Sequence, residues 1–166
     1  MMFENDWQNA CLRLNNEARN AFTSNPAPEL IWIPNDFIMY RLRTKITSIS
    51  QYKSPDSSPR PVGSNILKSP WWFTEDTFEK LINGQGSITS TAREMLAVPT
   101  RFNADFDNLI SIKTKVSGYC YLGLTSPMSL VENGKEYLKG GFEQIWIPNL
   151  QPSQVNILAY GDVGTF

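Results

Sequence analysis

From residue 109 onward the chain is a succession of short runs in which apolar and polar residues alternate, and this period of two constrains its fold more than any other feature. The runs cover residues 109–116, 119–124, 143–147 after Gly140-Gly141, and 154–159. Helical spacing is confined to earlier segments. Phe3, Trp7, Ala10, Cys11, Leu14, Ala18 and Ala21 recur at helix period until Pro26 and Pro28 stop them. Thr74 is placed to cap a second helix, with Glu75 and Asp76 in its first turn and Phe78, Leu81 and Ile82 as its buried face, ending at Asn83-Gly84. A short third helix is predicted over 91–96, closed by Pro99. Brief strands are predicted at 30–33, 37–44 and 70–74, and the polar, proline-rich residues 48–61 read as a loop. Helices early and strands late predict an α+β fold instead of a parallel βαβ sheet. The pentapeptide Ile-Trp-Ile-Pro-Asn occurs at 31–35 and 145–149, but its flanks do not match, so it reads as coincidence and not as a repeat.

Composition narrows the chemistry. A chain of 166 residues can build one complete core, and 41% hydrophobic with 19% charged residues is ordinary for a globular domain. A net charge of -1 argues against a broad basic nucleic-acid footprint. Glu4 and Asp6 occupy the place of a basic signal-peptide start, and no run approaches the roughly 20 apolar residues that span a bilayer. A cytoplasmic chain is expected, or one delivered into a cytoplasm without a cleaved signal, with no membrane partner. Cys11 and Cys120 form no C-x-x-C pattern, so neither a disulfide framework nor a zinc site is expected. The sequence contains no histidine, which excludes Ser-His-Asp and Cys-His nucleophilic machinery and histidine-rich zinc sites. Acid-base chemistry would fall to carboxylates or tyrosines.

Three separated segments can carry chemistry. In Tyr40-Arg41-Leu42-Arg43, alternation puts Phe37, Met39, Arg41 and Arg43 on one face and Ile38, Tyr40 and Leu42 on the other. A guanidinium on such a strand is costly to bury unpaired, whereas at a cleft wall its forked donors match phosphate or carboxylate oxygens. In Trp71-Trp72-Phe73-Thr74, adjacent aromatics point to opposite faces, so one can pack the core and the other can stack on a planar ring. In the strand after Gly140-Gly141, Phe142, Gln144 and Trp146 share one face and Glu143, Ile145 and Ile147 the other. One of Glu143 and Gln144 must therefore face an apolar side, where it needs a partner or a function.

Taken in order, these segments resemble the small bacterial toxin-type mono-ADP-ribosyltransferases, over about residues 40–157. The likeness lies in the aromatic-Arg strand, the aromatic strand entering a helix, and the late strand Gly-Gly-Phe-Glu-Gln-Ile-Trp-Ile-Pro. It implies one α+β domain of two packed, mostly antiparallel sheets, with residues 1–28 as an N-terminal helical extension and 29–166 as the catalytic part. It implies NAD as substrate, no metal, and transfer of ADP-ribose to a macromolecular acceptor, protein or nucleic acid. By resemblance, Arg41 with Leu42 would hold an NAD phosphate or the nicotinamide ribose. Trp71, Trp72, Phe73 and Thr74 would line the nicotinamide, and Ser90, in Thr89-Ser90-Thr91, would stand where the family carries a Ser-Thr-Ser. Glu143 or Gln144 would be the catalytic side chain. The tail Ile-x-Ile-Pro aligns Gln144 with the catalytic position, while charge stabilisation favours Glu143. The Glu-x-Glu pair of arginine-modifying members is missing in either register, so an acceptor other than arginine is expected. A toxin or effector of this kind would have a neutralising antitoxin or immunity partner. The alternatives are an NAD glycohydrolase on the same fold, or a non-catalytic protein-binding module.

Overall fold

The computed structural model describes residues 16–43, 52–53, 67, 69–84, 86–98, 108–130, 136–148 and 150–162. In chain order these hold α1 (Asn16–Ala21), β1 (Glu29–Ile33), β2 (Ile38–Arg43), β3 (Tyr52–Lys53), β4 (Trp71–Thr74), α2 (Glu75–Ile82) and α3 (Ile88–Met95). There follow β5 (Asn108–Thr114), β6 (Gly118–Leu124), β7 (Met128–Leu130), β8 (Glu136–Leu138), β9 (Glu143–Trp146) and β10 (Val155–Asp162), with a 3-10 turn at Pro152–Gln154. Eight strands form one hydrogen-bonded antiparallel series, β1-β6-β9-β4-β2-β5-β10-β3, and β7 pairs with β8 separately. No helix among the described residues is long and apolar enough to cross a membrane.

The series divides at β4, which changes partner halfway along. Trp71 and Trp72 pair with Trp146 and Ile145 of β9, whereas Phe73 and Thr74 pair with Tyr40 and Met39 of β2. Four short residues therefore hold two halves together and make them fork. The halves close on one shared core. Ile33, Cys120, Ile145 and Ile147 enter it from one side, Met39, Ile110, Ile112, Ile157 and Tyr160 from the other, and Trp72 lies among them. Burying side chains of this size contributes roughly 1.5–3 kcal/mol each. The expected α+β domain of two packed antiparallel sheets is thus what forms.

Helices cover the outer faces. Tyr40, Leu42, Phe73 and Leu109 pack under α2 and α3 with Leu81, Ala92 and Leu96. Ala18 and Phe22 lie on Trp146, with Trp71 and Tyr121 alongside. The Thr74 side chain accepts from the Thr77 N–H at 3.3 Å, and Glu75 and Asp76 follow in the first turn, so α2 starts where its cap sets it. The third helix begins at Ile88, three residues before the expected start, because Ser87 supplies its cap by accepting from Ser90 N–H at 3.1 Å.

Within the segment read as a loop, Tyr52 and Lys53 pair with Tyr160 and Ala159 as β3; the rest of residues 48–61 lies outside the described residues. So do the predicted helical residues 3–14, Cys11 and Pro99. The two Ile-Trp-Ile copies flank β6 with the same inside-outside pattern, Ile33 and Ile145 inward. Trp146 is covered by α1, while Trp32 is 45% exposed on the edge strand.

Candidate functional site

β2 carries Arg41 into the space between the halves. Its register with β4 continues to set Arg41 opposite Trp72, and the guanidinium carbon lies 3.9 Å from the centre of the Trp72 ring. Arg41 is 8% exposed. Nη1 donates to Ser69 O at 2.7 Å and to Trp71 O at 3.5 Å. Among the described residues no carboxylate pairs with it. Two carbonyls and an aromatic face orient a guanidinium, but they do not neutralise it. Burial, and secondarily the nearby charge of Arg43, lower its pKa to about 9, so it is still protonated at pH 7. The indole Nε1–H of Trp72 is buried without a hydrogen-bond partner. A buried cation and an unmet donor thus meet on the inner face, an arrangement complementary to an acceptor-rich anion.

β9 presents Glu143 to the same face. Ile145 is opposite Trp72, and Glu143, two residues earlier, lies about 7 Å further along the strand. There β4 has already left β9 for β2, so Glu143 sits in the fork, half-buried. Gln144 points the other way. It is 7% exposed, and its Nε2 donates to Ala21 O at 3.1 Å, fastening β9 to the end of α1. Replacing Gln144 with alanine is expected to remove this bond and its packing for about 1–2 kcal/mol, a fall in Tm of roughly 2–8 °C. Thermal unfolding of the variant tests the assignment, and an unchanged Tm would mean that the side chain fastens nothing.

The remaining sequence candidates disperse. Leu42 and Phe73 are buried beneath α2 and α3 on the opposite face from Arg41, with Phe73 stacked on Tyr40. Trp71 meets Phe22 edge-on beside α1, 5.4 Å between centroids. Thr74 is the α2 cap, at the row where β4 ends. Ser90 is exposed on the first turn of α3, its hydroxyl accepting from Ser87 Oγ and donating to Ser87 O. Arg41, Trp72 and Glu143 are therefore the candidates brought to one face.

Two residues that the sequence reading passed over border Glu143. The buried Thr77 hydroxyl donates to Glu143 O at 2.9 Å, and the buried Thr125 hydroxyl donates to Phe142 O at 2.9 Å. Thr77 left one sequence signal, a polar residue on the same helical face as Leu81.

No family model and no curated protein matches the sequence. Two solved structures are similar in outline. A chain from the structure of Tne2 in complex with Tni2 aligns over 81% of this chain and 91% of its own length, at 16% identity and a TM-score of 0.46. A chain from Rhs1-CT in complex with its cognate immunity protein RhsI1 aligns over 82% of this chain and 81% of its own length, at 11% identity and a TM-score of 0.48.

Proposed function

We propose that this protein is an NAD-consuming mono-ADP-ribosyltransferase of toxin or effector type, acting in a cytoplasm on a protein or nucleic-acid acceptor other than arginine. One observation carries the reading. A buried arginine with no carboxylate partner among the described residues and a glutamate stand on one inner face, where β4 passes from β9 to β2. In this reading Arg41 binds a phosphate of NAD, which supplies the negative charge that the described residues leave out around the guanidinium. Trp72 holds Arg41 in place through its ring face and offers Nε1–H to a ligand acceptor.

Glu143 acts at the nicotinamide ribose. As the C1′–N bond breaks, nicotinamide leaves with the electron pair and positive charge develops on the sugar. A fixed carboxylate lowers the energy of that state. The acceptor then gives its lone pair to C1′ and loses its proton. A neutralising immunity partner belongs to the same proposal.

Arg41→Met separates function from folding. An isolated buried charge is a poor contributor to stability, so the apolar replacement is expected to leave Tm unchanged or raise it. The same change should lower kcat/KM for NAD by at least about 100-fold, about 2.7 kcal/mol. The assay is incubation with adenine-labelled NAD and whole-cell lysate, with and without RNase. Label moving onto macromolecules and lost in Arg41→Met supports transfer. Label recovered only as free ADP-ribose points to a glycohydrolase, and NAD left intact under every condition removes the enzyme reading.

A further inference from the structure

Glu143 lies at the place where its strand loses a neighbour. On the β6 side β9 is fully paired, and Phe142 O accepts from both the N–H and the hydroxyl of Thr125, each at 2.9 Å. On the other side, β4 pairs with Trp146 and Ile145 only. Continuing that register would put Phe73 beside Gln144 and Thr74 beside Glu143, but both have turned to β2. The carbonyl of Glu143 is met instead by a helix side chain, Thr77 Oγ1, at 2.9 Å. Thr77 is 1% exposed, and its hydroxyl in turn accepts from Thr74 Oγ1 at 3.4 Å. The carbonyls of Phe142 and Glu143 are thus held by buried threonines on opposite sides of the strand, Thr125 just past the end of β6 and Thr77 from α2.

From this we infer that Thr77 is a positioning residue: its hydroxyl replaces the missing strand partner and fixes the backbone from which the Glu143 carboxylate projects into the fork. The inference rests on the reading of Glu143 as the group that stabilises charge on the ribose. A stiff carboxylate matters because electrostatic stabilisation falls when the group must reorganise during the reaction. The cap bond from Thr77 N–H to Thr74 does not need the Thr77 hydroxyl, so α2 can start normally without it.

The test is a comparison of Thr77→Val, which keeps shape and removes the hydroxyl, with Thr77→Ser, which keeps the hydroxyl. Valine is expected to lower kcat for NAD consumption about tenfold with KM within about twofold, and serine to restore kcat to within about twofold of the parent. If valine does not yield folded protein, Thr77→Cys takes its place, since a thiol is a weaker donor. Equal kcat in the hydroxyl-bearing and hydroxyl-free variants overturns the proposal, as does a loss that serine fails to rescue. A second readout does not depend on turnover. In protein with carbon-13-labelled glutamate, the Glu143 carboxylate resonance, assigned by its disappearance in Glu143→Gln, should shift or broaden in the valine variant and return in the serine variant. An unmoved resonance overturns the positioning role. If the parent protein consumes no NAD, the reaction proposal fails while this spectrum still decides the role of Thr77.

Discussion

Glu143→Gln is expected to slow nicotinamide release from NAD by about 10²–10³-fold, the range seen when one preorganised electrostatic group is removed from an active site. That is a loss of about 2.7–4 kcal/mol in transition-state stabilisation. The substitution is nearly isosteric, and the bonds that hold this residue are made by its backbone. Its carbonyl accepts from Thr77, and its strand position is fixed by pairing with Leu124. The fold should therefore not notice, and Tm should stay within about 2 °C. Initial rates at saturating NAD, measured beside thermal unfolding, make the distinction. A rate within a few-fold of the parent would remove the carboxylate from the mechanism. A lost rate accompanied by a large fall in Tm would assign the residue to structure.

The second large effect is on stability. Gly140 has φ of +67°, and a Cβ built there would lie 2.5 Å from Thr125 O and 2.9 Å from Ser126 C and O. Those are backbone atoms, so no side-chain rotation relieves the overlap. They also belong to a bonded knot. Gly140 N–H donates to Glu94 O, Gly141 N–H to Thr125 O and Phe142 N–H to Met95 O, which ties the end of α3 to the end of β6 just before β9 begins. Left-handed backbone alone costs a non-glycine residue about 1–2 kcal/mol, and the displaced hydrogen bonds add to it. Gly140→Ala is expected to lose roughly 3–4 kcal/mol, a fall in Tm of about 6–16 °C in a domain of this size. Chemical denaturation with both folded baselines recorded checks the value. A loss below about 1 kcal/mol would mean that the loop relaxes freely around the added methyl.

Much of the fold was legible because its signals are local. Alternation separated Met39 and Arg41 from Tyr40 and Leu42, and these pairs do pack into different clusters. Thr74 with Glu75 and Asp76 announced the start of α2. Elements too short to show a period were missed. β3 is two residues inside a polar stretch, and β7 and β8 are three residues each, so pairing across the structure defines them and sequence does not.

The site shows the same divide. That Glu143 and Gln144 face opposite ways follows from strand geometry, but which face is the fork depends on what lies above each one. Sequence could not say that α1 would cover Gln144, because the contact joins residues 123 positions apart. Nor could it show that β4 changes partner at Phe73, which is what makes Thr77 a neighbour of Glu143.

The order of strands has a consequence for how the polypeptide reaches its native state. β9 and β10 are the last two of the described strands in chain order, yet neither lies at a sheet edge: β9 sits between β6 and β4, and β10 between β5 and β3. Glu29 likewise waits for Leu122, and Tyr40 for Ser111. Such long loops must close before pairing rewards them, which places folding in roughly the millisecond-to-second range. During synthesis, neither half can be completed until the ribosome has made β9 and β10. Until then β4, β5 and β6 expose unpaired edges that can template pairing with other chains. The nascent protein is consequently prone to aggregate in the interval before β9 and β10 emerge.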